Sequence, residues 1–220
     1  MSERVEHYKQ AVEDVDVESL TVLVVAGASV AEVREVIADD SGLARCQEVD
    51  DHERSAYAFL EVDGGVAAME LTGYADPTVA ALTRLSAGGR SAAVVVSDIQ
   101  AHDRFGCARD GALLFDDPEY TFLDPDDRSR VPDELRSLFD LAWVDLDADL
   151  YDADDDDVIG FVVGLAMAEV VTGITLTADD LGRLWEAGPD EMLPVRTLAY
   201  ATEQASGDTS AATGPPTGSR

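Results

Sequence analysis

Two apolar runs, Tyr57-Ala-Phe-Leu-Glu-Val62 and Val66-Ala-Ala-Met-Glu-Leu71, are separated only by Asp63-Gly64-Gly65. Each run is too short for a stable helix, and glycine supplies the positive φ that a tight reversal needs, so the stretch predicts a β-hairpin. A hairpin commits the chain to an antiparallel sheet. Two further β-branched runs, Leu20 to Ala26 and Ser91 to Val96, are apolar at nearly every position and read as buried strands. A second hairpin is predicted where Arg104 to Ala108 and Ala112 to Phe115 flank Asp110-Gly111.

Helical signals fall between and after these strands. Val5, Tyr8 and Val12 recur at near-helical spacing and predict a short opening helix. Ser29-Val-Ala-Glu32 has the form of a capping box, in which the serine oxygen accepts from the Glu32 amide and the glutamate reaches back. Val30, Val33 and Ile37 then give that helix an apolar stripe. Val79, Leu82 and Leu85 mark a third helix, with Gly88-Gly89 as its natural end. In the second half, Leu135, Leu138, Phe139 and Ala142 follow Pro132 in helical order, and Val158 to Val171 is apolar nearly all round, as in a central buried helix. Thr177-Ala-Asp-Asp180 resembles a second capping box, with Leu181, Leu184 and Trp185 as the buried face of the helix that follows.

Taken together, these signals predict an α+β fold: a mainly antiparallel sheet of about five to six strands flanked by helices, with a helical C-terminal half. Residues 1–200 form a single domain in this reading, sheet-rich over 20–116 and helical over 130–200. Residues 203–220, rich in Ser, Thr, Gly, Ala and Pro without periodicity, read as a disordered tail.

The formal net charge of −31 and a single lysine, Lys9, make the chain strongly acidic. Such a field repels nucleic acid and anionic membranes and favours basic partner surfaces, so a basic protein partner is expected, without nucleic-acid or membrane binding. Low hydrophobicity is what keeps acidic chains unfolded, and here the apolar share is 46%, enough for a core. Cys46 and Cys107 form neither a disulfide framework nor a C-x-x-C pair, and no signal peptide or spanning segment is legible. The expected setting is therefore the cytoplasm.

Three groups of residues invite a chemical reading. Asp145, Asp147 and Asp149 alternate within the run from Trp143 to Asp157, as carboxylates of a Ca²⁺ or Mg²⁺ site would. Leu150 stands where an EF-hand loop requires glycine and Asp156 where it requires glutamate, and an alternating solvent-facing segment leading into a helix N-terminus explains the same run. Glu70, Tyr74, Arg84 and Arg90 form a candidate binding groove, with surface ion pairing as the simpler account. Cys46 with His52 lacks further zinc ligands, and His102 with Cys107 has odd spacing, which points the two to opposite faces of a regular strand. No phosphate loop, dinucleotide fingerprint or nucleophile elbow is present, and no catalytic residue is assigned.

Glu70-Leu-Thr-Gly73-Tyr74, Leu82-Thr-Arg84-Leu85-Ser86-Ala-Gly88-Gly89-Arg90 and Ala108-Arg-Asp110-Gly111 before Phe115 carry a further signal. Together with Leu165-Ala-Met-Ala-Glu169 and the stretch Val171 to Thr177, they make the chain resemble the bacterial domain-of-unknown-function family 6461. It departs from that pattern at Tyr57 and at Val96-Ser97-Asp98. The resemblance sharpens fold boundaries and implies no activity. The functional expectation is a non-catalytic interaction protein, immunity-like or regulatory, binding a basic protein partner through an acidic surface. The alternative is a divalent-metal-dependent enzyme or calcium-binding protein using the Asp145 to Asp157 cluster.

Overall fold

A computed structural model of the chain describes residues 2–40, 43–45, 55–72, 75–97, 103–123, 126–142, 159–188 and 190–197. Its elements in order are α1 (Glu3–Ala11), β1 (Leu20–Ala26), α2 (Val30–Ala38), β2 (Leu43–Arg45), β3 (Ser55–Val62), β4 (Gly65–Glu70), α3 (Val79–Leu85), β5 (Ser91–Ser97), β6 (Arg104–Arg109), β7 (Ala112–Asp117), α4 (Arg136–Ala142), α5 (Ile159–Thr172), α6 (Ala178–Trp185) and β8 (Leu193–Thr197). The fold is α+β. The strands form one eight-stranded sheet in the order β2–β8–β3–β4–β1–β5–β6–β7, antiparallel at each pairing.

Both predicted hairpins are present. In the first, Val62 pairs with Gly65 across Asp63 and Gly64. A Cβ on Gly65 would lie 2.1 Å from the Val25 carbonyl oxygen, so this strand start must be glycine for β4 to approach β1. In the second, Asp110 and Gly111 have φ of 51° and 76°, the left-handed pair that a two-residue hairpin turn uses to match strand twist.

The sheet exceeds the five to six strands expected because β2 and β8 extend one edge. Both are short, and Pro194 within β8 argues against a strand when read locally. The β2 register ends at Val195, so Pro194 needs no amide hydrogen for that ladder. Thus the C-terminal half, expected to be helical, also contributes a strand that inserts between β2 and β3.

Alternation along β1 divides the core. Leu20, Val22 and Val24 point to one face, toward α1, α4, α5 and α6, while Leu23 and Val25 point to the other, toward α2 and α3. The capping boxes at Ser29/Glu32 and Thr177/Asp180 start α2 and α6 as the sequence predicts. In α3 the buried stripe is Ala81, Leu82 and Leu85, whereas Val79, expected in that stripe, is 37% exposed at the first turn.

The central helix α5 is apolar nearly all round because it is covered along most of its length, by β5, β6 and β1 beneath and by α1 and α4 at its flanks. Gly164 makes that contact close: a Cβ there would fall 2.5 Å from Val95 Cγ1. Gly182 in α6 faces open space. Gly164→Ala is therefore expected to be net destabilising, an overpacking cost of about 1–3 kcal/mol against the stiff Val95 outweighing a helix-propensity gain of about 1 kcal/mol. Gly182→Ala should instead stabilise by about 0.5–1 kcal/mol, having only the propensity gain. Urea denaturation of the two variants distinguishes the contributions, and equal shifts would contradict the packing.

Candidate functional site

The register across the sheet places Leu193, Tyr57, Glu70, Thr21, Val96 and Arg104 in one transverse row at one end. Directly paired residues of antiparallel strands share a face, and here it is the face covered by α2 and α3. A row holding a tyrosine, a carboxylate, a threonine and a guanidinium is unusual in a core, and Tyr57, Glu70 and Thr21 are each 0% exposed.

What the row does locally is hold the segment between β4 and α3 against the sheet. Glu70 Oε1 accepts from the Thr72 amide at 2.9 Å and from its hydroxyl at 2.6 Å. The Ser19 hydroxyl donates to the Thr72 carbonyl, and the Tyr57 hydroxyl donates to the Ala75 carbonyl. Arg104 reaches the Pro77 carbonyl at 2.7 Å, pairs with Asp76, and pairs with Asp116 at 2.8 Å. Asp40, at the end of α2, accepts from the Thr78 amide at 2.8 Å and its hydroxyl at 2.6 Å. The Thr78 hydroxyl in turn accepts from the Ala81 amide and so caps α3.

Electrostatics follow the burial. Loss of water around Tyr57 pushes its phenol well above its usual range, and the nearby charges of Glu70 and Asp76 push it the same way. Tyr57 is therefore a fixed neutral donor. Thr21 Oγ1 makes no hydrogen bond among the described residues.

On the opposite helical layer, α1 and the turn after α5 form an open groove of about 380 Å³ lined by Ser2, Glu3, Arg4, His7, Glu169 and Thr175. Arg4 pairs with Glu169 at 2.7 Å. His7 Nε2 lies 2.8 Å from the Leu176 carbonyl, which can only accept, so Nε2 carries the hydrogen. Burial raises the Tyr8 phenol, although the Leu176 amide partly offsets it by donating to the hydroxyl.

Of the four residues expected to share a groove, Glu70 and Arg90 are not brought together. Glu70 pairs with Thr21 at one end of β1, whereas Arg90 precedes Ser91, which pairs with Ala26 at the other end. Arg90 instead binds Glu32 at 2.7 Å. Hydrogen bonds from the Ser29 amide and hydroxyl, then Arg90, hold the Glu32 carboxyl below its usual range. Arg84 is exposed in the last turn of α3, toward the Arg90 end, and Tyr74 lies outside the described residues. Asp145, Asp147 and Asp149 also lie outside them, as do Cys46, His52, His102 and residues 203–220. Among the described residues, no group of three or more His, Cys, Asp or Glu side chains is placed to hold a metal ion. No helix among them is long and apolar enough to cross a membrane. Cys107 is buried, and desolvation pushes its thiol up to about 12, which leaves it unreactive.

The profile of the family of unknown function DUF6461 matches residues 12–183. The chain belongs to that family. No curated protein and no solved structure matches it. In this DUF6461 chain the motif residues have structural work that pattern reading left open. Glu70 and Thr72 anchor the segment leading to α3, while the end of α3 is stitched to the β6–β7 turn. Gly89 N donates to Asp110 Oδ1 at 2.9 Å, Asp110 N to the Arg90 carbonyl at 2.9 Å, and Gly111 N to the Ser86 carbonyl at 3.2 Å. The signal for Tyr57 and Arg104 was available only once strand register was known, since they stand 47 positions apart in the numbering yet in one row.

Two measurements test this assignment. Tyr57→Phe leaves the buried Ala75 carbonyl without its donor and is expected to cost about 1–3 kcal/mol in urea unfolding. In a Cys46→Ser background, Cys107 should resist a disulfide reagent in the native protein and react fully after denaturation. Rapid native modification would contradict its burial.

Proposed function

We propose that the protein is a non-catalytic interaction module, immunity-like or regulatory, that binds a basic protein partner through its acidic surface. The observation that supports this reading is where the positive charge goes. Arg4, Arg90, Arg104, Arg109, Arg128, Arg130 and Arg136 are each paired with a carboxylate of the same chain. Arg34 lies over the Phe59 ring and donates to the Glu191 carbonyl.

Against a formal charge of −31, these pairs leave acidic positions such as Glu13, Asp14, Asp16 and Glu18 exposed on one side of the molecule, and Asp179, Glu186 and Asp190 on α6 and beyond. Surface ion pairs of this kind contribute little to stability, so the acid excess is better accounted for by its external field. Fields of that sign steer and orient basic surfaces and make association depend on salt.

Capture on the immobilised full chain, with retained proteins identified by mass spectrometry, tests the reading. A basic protein should be retained at low ionic strength and released as salt rises past about 0.1 M, where the Debye length falls to ~10 Å. Retention of no basic protein at low salt overturns it.

A further inference from the structure

We propose that the groove along α1 is the docking site for the basic partner, which seats an arginine side chain there between Glu3 and Glu6. The inference rests on the acidic-surface reading and specifies where, and by what chemistry, it operates.

The groove of about 380 Å³ between α1 and the turn after α5 shares Glu3 and His7 with an adjoining one of about 480 Å³, lined by Glu3, Glu6, His7 and Gln10. On a helix, residues three and four apart are neighbours, so these four make one stripe along α1, turned away from the core stripe of Val5, Tyr8 and Ala11. The opposite wall is fixed. Leu176 donates its amide to the Tyr8 hydroxyl at 3.2 Å, and its carbonyl accepts from His7 Nε2 at 2.8 Å, so both backbone groups of one residue tie the turn to α1. A groove held in this way is pre-organised, and a partner does not bear the cost of ordering it.

The charge along the stripe is free. Glu3 and Glu6 are exposed, and neither carboxylate is ion-paired or hydrogen-bonded among the described residues. Arg4, the cation that lines the groove, engages Glu169 through its Nε, and Lys9 lines neither part. His7 adds an acceptor, because the hydrogen on Nε2 leaves the lone pair of the neutral ring on Nδ1. A stripe of acceptors calls for a cation rich in donors. Cβ atoms three residues apart on a helix are about 5–6 Å apart, and a guanidinium, with five N–H groups in a planar fork, can reach carboxylates on both sides of it. A lysine ammonium is a more strongly hydrated point charge and is less suited to that bridge. A metal ion fits less well, since no group of three or more His, Cys, Asp or Glu among the described residues is placed to hold one. A second copy would bring another chain of charge −31, which disfavours self-association.

The test uses the full chain with two synthetic probes of equal length and charge, an Arg/Ala peptide and a Lys/Ala peptide, and reads affinity by fluorescence anisotropy at low salt. The Arg/Ala peptide should bind more tightly. Replacing both Glu3→Gln and Glu6→Gln should weaken it about tenfold, whereas Glu61→Gln with Glu186→Gln, which removes the same charge from exposed positions outside the groove, should leave Kd nearly unchanged. Gln10→Lys, at an exposed position where helix propensity is kept, places a competing cation in the stripe and should weaken binding to a similar degree without loss of α1. Leu141→Lys, which adds the same charge on α4, should not weaken it.

Equal affinity for the two peptides, or equal losses in the groove and control variants, overturns the groove assignment and leaves the acidic-surface reading standing if a basic protein is still captured at low salt. Failure of the Arg/Ala peptide to bind while such a capture succeeds has the same meaning. Failure of both removes the reading and the groove together. A concentration-dependent dimer of the free chain that Gln10→Lys dissolves assigns the groove to a second copy and likewise overturns the proposal.

Discussion

The close seating of α5 on β5, made possible by the missing side chain at Gly164, sets the spacing of one whole side of the molecule. Because that helix lies directly on Val95, β5 and β1 are sealed on this face, and the helix can be apolar around nearly all of its circumference. α4 and α1 then pack on α5 rather than only on the sheet, while α6 closes over β3 and β4. Dispersion and hydrophobic burial act together in such an arrangement. A void of half an ångström would cost contacts along every residue that faces it.

The other face solves a different problem. There the helices are short, and the connection between β4 and α3 must cross the end of the sheet without regular backbone pairing. Buried carbonyls and amides in such a crossing are costly unless each finds a partner. Tyr57, Glu70, Arg104 and Asp40 provide these partners from four different elements. Arg104 is the least dispensable member, since its guanidinium joins Asp76 of the crossing to Asp116 of β7. Removal of one member of a desolvated charge pair is more damaging than replacement of the whole group by hydrocarbon. This is a positional use of polarity, and it accounts for the occurrence of these residue types in the core.

Much of the architecture was legible in local chemistry. The two glycine turns, the two capping boxes and the β-branched runs each have a short-range cause, and each produced the element it predicts. The same logic missed β8, because Pro194 counts against a strand until its neighbours are known, and β2, because three residues are too few for a period. Val79 was misplaced because Ala81 is a poor marker of a buried stripe when judged by type. The site was less legible still. The candidate groove of Glu70, Tyr74, Arg84 and Arg90 gathers polar residues of neighbouring segments, but which end of the sheet a residue occupies depends on strand direction, and that separates Glu70 from Arg90 by the length of β1. Tyr57 and Arg104, which do join Glu70, are ordinary strand residues until the register is assembled.

The insertion of β8 between β2 and β3 has a temporal side. During synthesis β2 emerges among the first strands, yet its sheet neighbour lies some 150 residues further on. Until that segment leaves the ribosome, the six strands from β3 to β7, including β1, can pair among themselves while the outer side of β3 stays open. Long-range pairing of this kind is slow, because loop-closure entropy is spent before contacts compensate for it. The nascent chain therefore carries an open β3 edge for most of its synthesis, and Leu193 to Thr197, the last of the described strands to arrive, closes it from within.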